Sequence, residues 1–441
     1  MPQDHSTRPP TRPRRVPAGR IARGARMGAL ATGLAGGALA EGLRRLARGE
    51  PAGIAEALLS APNARRLTGG LAHLRGAAMK LGQMLSLDAG QALPPELEAI
   101  LAGLRADAPA MPPAQLKRVL IAEWGADWHR HFARFDVTPI AAASIGQVHR
   151  AHTRDGRDLA IKVQFPGVRD SIDADIANLG TLLRLAGVVP PGLDLAPLLA
   201  EARAQLHAEA DYRLEAGALS GFRQALAGRP EFLIPAVHDD LSTARVLAMD
   251  HVDSAPIETL ADAPQDMRDR TTTALIDLVL REMFEIGQMQ TDPNFANYRV
   301  EAGTGRIVLL DFGATRAIAP DIAARYRALL AALLDGDRAA MAATMQDLGY
   351  FDAARPEADL ILSMADHAAG PLRRAAPYDF ASSTLPLEIA EMGRPLAEAR
   401  RLWHIPPAEL LFLHRKIAGM FLLAQRLRAR VALRPLVAPW R

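Results

Sequence analysis

The chain has 441 residues, 49% of them hydrophobic, and a net charge of +3, which suits one two-lobed enzyme or two to three small domains. With no cysteine, disulfides, thiolate nucleophiles and cysteine zinc sites are excluded, and a reducing compartment is expected. The small net charge gives no sign of a nucleic-acid partner.

Residues 1–26 carry seven arginines, five prolines and one acid, Asp4. Such a stretch cannot bury apolar surface and reads as a disordered basic tail, whether transit peptide, lipid-attracting arm or linker. Met27 to Ala40 is apolar but only 14 residues long, short of the ~20 that span a bilayer. It reads as a membrane-surface anchor or as a packed helix in which Gly33 and Gly37 permit close approach. Residues 27–125 read as mostly helical, broken at Pro94-Pro95 and Pro112-Pro113. From about 133 to 165 the pattern turns to short strands, and Asp155-Gly156 marks a hairpin between Val148 and the run Leu159 to Val163. Residues 169–219 predict two helices separated by Pro190-Pro191-Gly192. Thr243 to Met249 predicts a strand, 264–289 a long helix, Ile307 to Leu310 a buried strand, and the rest helices. A small lobe with strands followed by a mostly helical large lobe is an α+β arrangement with a cleft between.

Of 52 basic side chains only Lys80, Lys117, Lys162 and Lys416 are lysines. A GC-rich genome explains the arginine bias, so each lysine is expected where a compact ammonium serves better than a planar fork.

The strongest chemical constellation is Asp292-Pro-Asn-Phe-Ala-Asn297 followed by Asp311-Phe312-Gly313. Phosphoryl transfer with Mg2+ needs carboxylate and amide oxygens converging on the metal and the phosphates, and a carboxylate near the attacking oxygen. Kinases supply these from an Asp, an Asn five residues later, and the Asp of a DFG triplet after a buried strand. Either triplet alone is common by chance; order, spacing and strand context together are not. Lys162, in Leu-Ala-Ile-Lys, matches the phosphate-orienting lysine of the third kinase strand. Glu215 is the expected partner of Lys162. Asp211, four residues before it, is expected on the same helical face, with Glu209 to the side. Upstream, Ala141-Ala142-Ala143-Ser144-Ile145-Gly146 stands where a kinase has its glycine-rich phosphate loop, stiffened because alanine forbids conformations that glycine allows.

These residues resemble the UbiB/AarF family of atypical kinases, above all its coenzyme-Q-biosynthesis branch. The family's KxGQ motif stands as Lys80-Leu81-Gly82-Gln83, its alanine-rich loop as AAASIGQVH, and its ExD motif as Glu209-Ala210-Asp211. Its catalytic stretch is QTDPNFANY and its last motif DFGATR, the resemblance running from roughly residue 20 to 430. Gln290 stands where the bacterial branch usually has histidine, as in mitochondrial-type members. Asp250 replaces the commoner hinge glutamate, a change of little weight if the hinge from Asp250 to Val252 bonds nucleotide through its backbone.

The resemblance implies a protein-kinase-like two-lobed fold with a helical N-terminal extension: a tail over 1–26, the KxGQ extension over 27–125, an N-lobe over 126–250 and a C-lobe over 251–436. It also implies that the extension occludes the cleft, with Lys80 paired to Glu209 or Asp211 and Gln83 helping to close the site. After DFGATR the chain enters a helix start at Pro320 without an APE triplet, which argues against peptide docking. The implied function is a Mg2+- and ATP/ADP-dependent atypical kinase or ATPase supporting ubiquinone biosynthesis. Its expected partners are an isoprenoid lipid or biosynthetic proteins, and its expected location is the cytoplasm with peripheral inner-membrane contact. The rival readings are a true protein kinase and a non-catalytic nucleotide- or lipid-binding scaffold.

Overall fold

The computed structural model describes residue 80 and residues 110–185, 196–292, 294–351, 357–398 and 408–441. The basic tail, Met27–Ala40, Pro94-Pro95, Gln83 and Pro190-Pro191-Gly192 lie outside the described residues. The chain divides into two compact units, one running to Ser220 and including Pro235–Val252, the other comprising Gly221–Ile234 and Asp253–Arg441.

The first unit is built on a five-stranded antiparallel sheet in the order β1-β3-β4-β6, with β2 also on β3. The strands are β1 (Phe132–Phe135), β2 (Ala141–Ala142), β3 (Gly146–Thr153), β4 (Asp158–Gln164) and β6 (Val246–Asp250). The turn between β3 and β4 uses Gly156 at φ +93°, a conformation costly for any residue with a Cβ. Alternation along β4 sends Leu159, Ile161 and Val163 into the main core and Lys162 to the opposite face. Helix α1 (Pro113–Trp124) starts on proline and buries Gln115, Leu116, Val119 and Leu120 at helical spacing. Its Leu116 and Leu120 join Phe132, Ile161 and Val246 in that core. Each such side chain contributes about 1.5–3 kcal/mol by leaving water. The predicted strand from Thr243 begins three residues later, because the Thr243 hydroxyl accepts from the amides of Arg245 and Val246 and holds a turn.

Where two helices were predicted over 169–219 there are three: α2 (Val168–Leu185), α3 (Ala196–Glu209) and α4 (Tyr212–Ala225). The break between α3 and α4 falls at Ala210-Asp211, where the Asp211 carboxylate accepts from the Arg213 amide at 3.1 Å. Short acceptors of this kind cap helix starts rather than sit inside helices. Asp211 therefore does not share a helical face with Glu215.

The second unit contains the sheet β5-β10-β9-β7, formed by β5 (Phe232–Leu233), β7 (Ser254–Pro256), β9 (Tyr298–Glu301) and β10 (Ile307–Leu309). It also contains the ribbon of β8 (Gln288–Gln290) with β11 (Thr315–Ala317) and that of β12 (Tyr378–Asp379) with β13 (Arg430–Val431). Its helices begin with α5 (Gln265–Arg281), α6 (Pro320–Asp335), α7 (Arg338–Asp347) and α8 (Ala358–Ala368). They continue with α9 (Gly370–Arg373), α10 (Leu385–Glu398), α11 (Ala408–Arg426) and α12 (Leu433–Val437). The long helix predicted over 264–289 stops at Arg281. It widens into a π turn at Glu282–Ile286 and gives way to β8, whose pairing with β11 outweighs continued helix.

Candidate functional site

In the first unit, Lys162 Nζ lies 2.7 Å and 2.9 Å from the two carboxylate oxygens of Glu215. Both side chains are buried, and the ammonium also sits 5.1 Å from the centre of the Tyr212 ring. Strand β4 sets the lysine, and the first turns of α4 set the glutamate and tyrosine.

The alanine loop is a tight hairpin: Ala141 and Ala142 pair with Val148 and Gln147, and the Ala143 amide donates to the Gly146 carbonyl at 3.0 Å. Ser144 donates its hydroxyl to Glu209 Oε2 at 2.7 Å, and Lys80 Nζ lies 2.5 Å from Glu209 Oε1. Glu209, at the end of α3, thus ties Lys80 to the loop. Of the two expected partners of Lys80 the structure pairs it with Glu209, while Asp211 caps α4 and lies 3.9 Å from Arg169. Gly146 earns its place by close approach: a Cβ there would stand 2.4 Å from the Val163 carbonyl oxygen and 2.8 Å from the Tyr212 hydroxyl. At the end of β6, the Asp250 carboxylate accepts from the Ala236 amide at 3.0 Å and pairs with His238 at 2.8 Å. These contacts tie the Asp250 side chain to the neighbouring chain, and Val252 lies just beyond the end of β6.

In the second unit, two strand pairings bring the candidate residues Asp292, Asn297 and Asp311 onto neighbouring loops. Asp292 and Asn297 lie on the loop between β8 and β9, and Asp311 lies between β10 and β11. Pairing of β8 with β11 and β9 with β10 forces the two loops side by side. The Thr291 hydroxyl donates to the Ala314 carbonyl at 2.7 Å, and the Leu310 amide donates to the Asn297 carbonyl at 3.2 Å. Within the loop, Asn297 Nδ2 donates to the Asp292 carbonyl at 3.3 Å, turning the side-chain oxygen the other way. Asp311 Oδ1 accepts from the Gly313 amide at 3.0 Å, and Phe312 packs 4.7 Å from Phe222. Asn297 and Asp311 both line one cavity of about 10 Å³, enough for a single water. Only Ile318 and Ala319 separate β11 from α6, so no long segment follows the DFG stretch.

The same cavity is lined by Gln290 and Tyr298, the ends of the QTDPNFANY stretch, and by Glu282 and Lys416, which no motif reading singled out. Burial pushes the Glu282 carboxyl up, against the pull of Lys416. Burial also opposes the charge on Lys416, yet Glu282 and Tyr298 together hold that ammonium above its ordinary value. The signal for this group was the scarcity of lysine. Lys80, Lys162 and Lys416 are each buried against a glutamate, whereas Lys117 is exposed.

The sequence matches the ABC1 atypical kinase-like domain over residues 103–345. The chain belongs to the ABC1 family of atypical kinases. It is 39% identical over 437 residues to the mitochondrial atypical kinase COQ8B of Rattus norvegicus, covering 97% of this chain and 81% of the rat protein. To the mitochondrial atypical kinase COQ8 of Saccharomyces cerevisiae it is 36% identical over 423 residues, covering 94% of this chain and 83% of the yeast protein. A solved Mycobacterium tuberculosis structure, the complex of Rv3197 with erythromycin, superposes with a TM-score of 0.57 at 26% identity, over 87% of this chain and 96% of that one. The α+β kinase-like fold and the family read from the motifs are thereby borne out, and this ABC1 protein is an atypical kinase, a phosphotransferase of nucleotide-binding fold. Among the described residues no helix is long and apolar enough to cross a membrane.

Proposed function

We propose that this ABC1 protein binds Mg2+ with ATP or ADP and couples nucleotide hydrolysis to ubiquinone (coenzyme Q) biosynthesis, acting on access of isoprenoid lipid intermediates or biosynthetic proteins. The relatives named COQ8 and COQ8B support the pathway. The carrying observation is the convergence of Asn297 and Asp311 on one cavity beside Asp292. Among the described residues no three His, Asp or Glu side chains gather as a self-sufficient metal cage. Two oxygen donors suit Mg2+, which keeps waters and takes its other ligands from phosphate. When bound there, Mg2+ would neutralise charge on the phosphates.

In this reading Lys162 orients the phosphates and Glu215 holds Lys162 in place. Asp292 positions the attacking oxygen, and Asn297 and Asp311 hold the metal. The hairpin Ala141–Gly146 covers the phosphates, and the backbone from Asp250 to Val252 meets the base. Lys80, with Gln83, Glu209 and Asp211, regulates access. The short passage from β11 to α6 favours hydrolysis over peptide phosphorylation, because it leaves no segment to dock a peptide. We further propose a cytoplasmic location with peripheral contact at the inner membrane.

Phosphate release from ATP by purified protein, with and without liposomes, tests the proposal. Asp311→Asn is expected to lower the rate about a hundredfold or more, as loss of a group stabilising developing charge does, with the thermal transition retained. Hydrolysis by Asp311→Asn at the native rate would overturn the site assignment.

A further inference from the structure

Lys416 sits on α11, more than a hundred residues beyond the catalytic loop, yet its ammonium is the hub of that loop's inner side. Nζ lies 2.8 Å from the Gln290 carbonyl oxygen, 3.0 Å from the Tyr298 hydroxyl, 3.1 Å from Glu282 Oε2 and 3.3 Å from Gln290 Oε1. Gln290 stands two residues before Asp292, and Tyr298 directly follows Asn297. The two ends of the loop are therefore held by one cation, at 1% exposure.

The surroundings are built for this contact. The π turn at Glu282–Ile286 begins at Glu282, itself 1% exposed, and such turns recur at functional positions. The Glu282 carboxylate neutralises the ammonium and receives the Gln290 amide at 3.4 Å. An ammonium has three donors on a compact head, whereas a guanidinium spreads five donors over a plane. Arginine fills 48 of the 52 basic positions in this chain, so a lysine among these acceptors fits a site that admits only the smaller cation.

We infer that Lys416 is a positioning residue for the reaction: with Glu282 as counter-ion and Tyr298 as second anchor, it fixes the loop that carries Asp292 and Asn297. The inference rests on the catalytic reading of that loop. Its effect falls chiefly on turnover, because the clamp fixes Asp292, while Asn297 on the same loop passes a smaller part of the change to Mg-nucleotide affinity and the contacts assigned to Lys162 belong to another element. A misplacement of about 1 Å in such a loop can cost about a hundredfold in rate.

The test compares ATP hydrolysis, Mg-ADP affinity by calorimetry, and the thermal transition for the full-length native protein and four variants. Lys416→Met leaves Glu282 buried without its cation and is expected to lower stability. Lys416→Met/Glu282→Leu removes both charges and is expected to regain the thermal transition while kcat stays about tenfold or more below native. Tyr298→Phe, which keeps the ion pair and the ring, is expected to lower kcat about threefold or more, with a smaller fall in Mg-ADP affinity through Asn297. Native kcat in the refolded double variant, or in Tyr298→Phe should the double variant not fold, would reduce the network to a structural plug and overturn the inference. Asp292→Asn separates the two layers: undiminished hydrolysis there would defeat the catalytic reading itself, whatever Lys416 does.

Discussion

Gly146→Ala discriminates between two reasons for a glycine in the alanine loop. The new Cβ would stand 2.4 Å from the Val163 carbonyl oxygen and 2.8 Å from the Tyr212 hydroxyl. Neither neighbour can move freely, since Val163 lies within β4 at 0% exposure and Tyr212 is 1% exposed. Overpacking of this kind costs about 1–3 kcal/mol, or about 2–12 °C in Tm for a unit of 150–250 residues. A shifted Tyr212 also moves from beneath Lys162, so nucleotide affinity should fall together with stability. If Gly146 instead served only to let backbone approach a phosphate, affinity would drop with Tm unchanged. Differential scanning calorimetry with and without Mg-ADP reads both quantities. Gly156→Ala is the control: its φ of +93° is strained but its Cβ meets open space, so the cost should be about 1 kcal/mol, with affinity intact. A Gly146→Ala protein melting within about 1 °C of native would refute the packing explanation.

Lys80→Met should cost less stability than Lys162→Met. Glu209 is 12% exposed and keeps Ser144, whereas Glu215 is 1% exposed, so only the latter approaches the ~3–5 kcal/mol of a broken buried pair; urea titrations of both variants check the order. The pH dependence of stability should carry a signature of His414, whose imidazole is pushed by burial down to about 4. The unfolded chain then binds the extra proton below its ordinary value of about 6.5 while the folded chain does not, so stability falls as pH drops from 6.5 toward 4. Between pH 7 and 5 this amounts to about 2 kcal/mol, and His414→Gln should flatten that part of the profile in urea melts.

The placement of the motif residues was legible in the sequence where order and spacing constrain it. Lys162, Glu215, Asp292, Asn297 and Asp311 needed only strand and loop context to be placed, and the Asp155-Gly156 hairpin follows from backbone sterics. What was not legible depended on side chains meeting across long separations. Whether Lys80 takes Glu209 or Asp211 turns on where α3 ends, and the helix-capping preference of Asp211 decided it. The π turn at Glu282 has no sequence period of its own, so the segment to 289 read as continuous helix. Lys416 lay in an apolar run with no motif around it, and only its burial shows what it holds.

The distribution of amines makes this arginine-rich chain its own conformational reporter. With Lys117 the exposed lysine and the other three enclosed, an amine-directed label on the native protein should mark Lys117 at once. Lys80, Lys162 and Lys416 should react only through openings of the Lys80–Glu209 contact, of the sheet of the first unit, and of α11, respectively. The labelling rates of three residues in one digest would then measure the local unfolding free energies of three separate parts of the molecule.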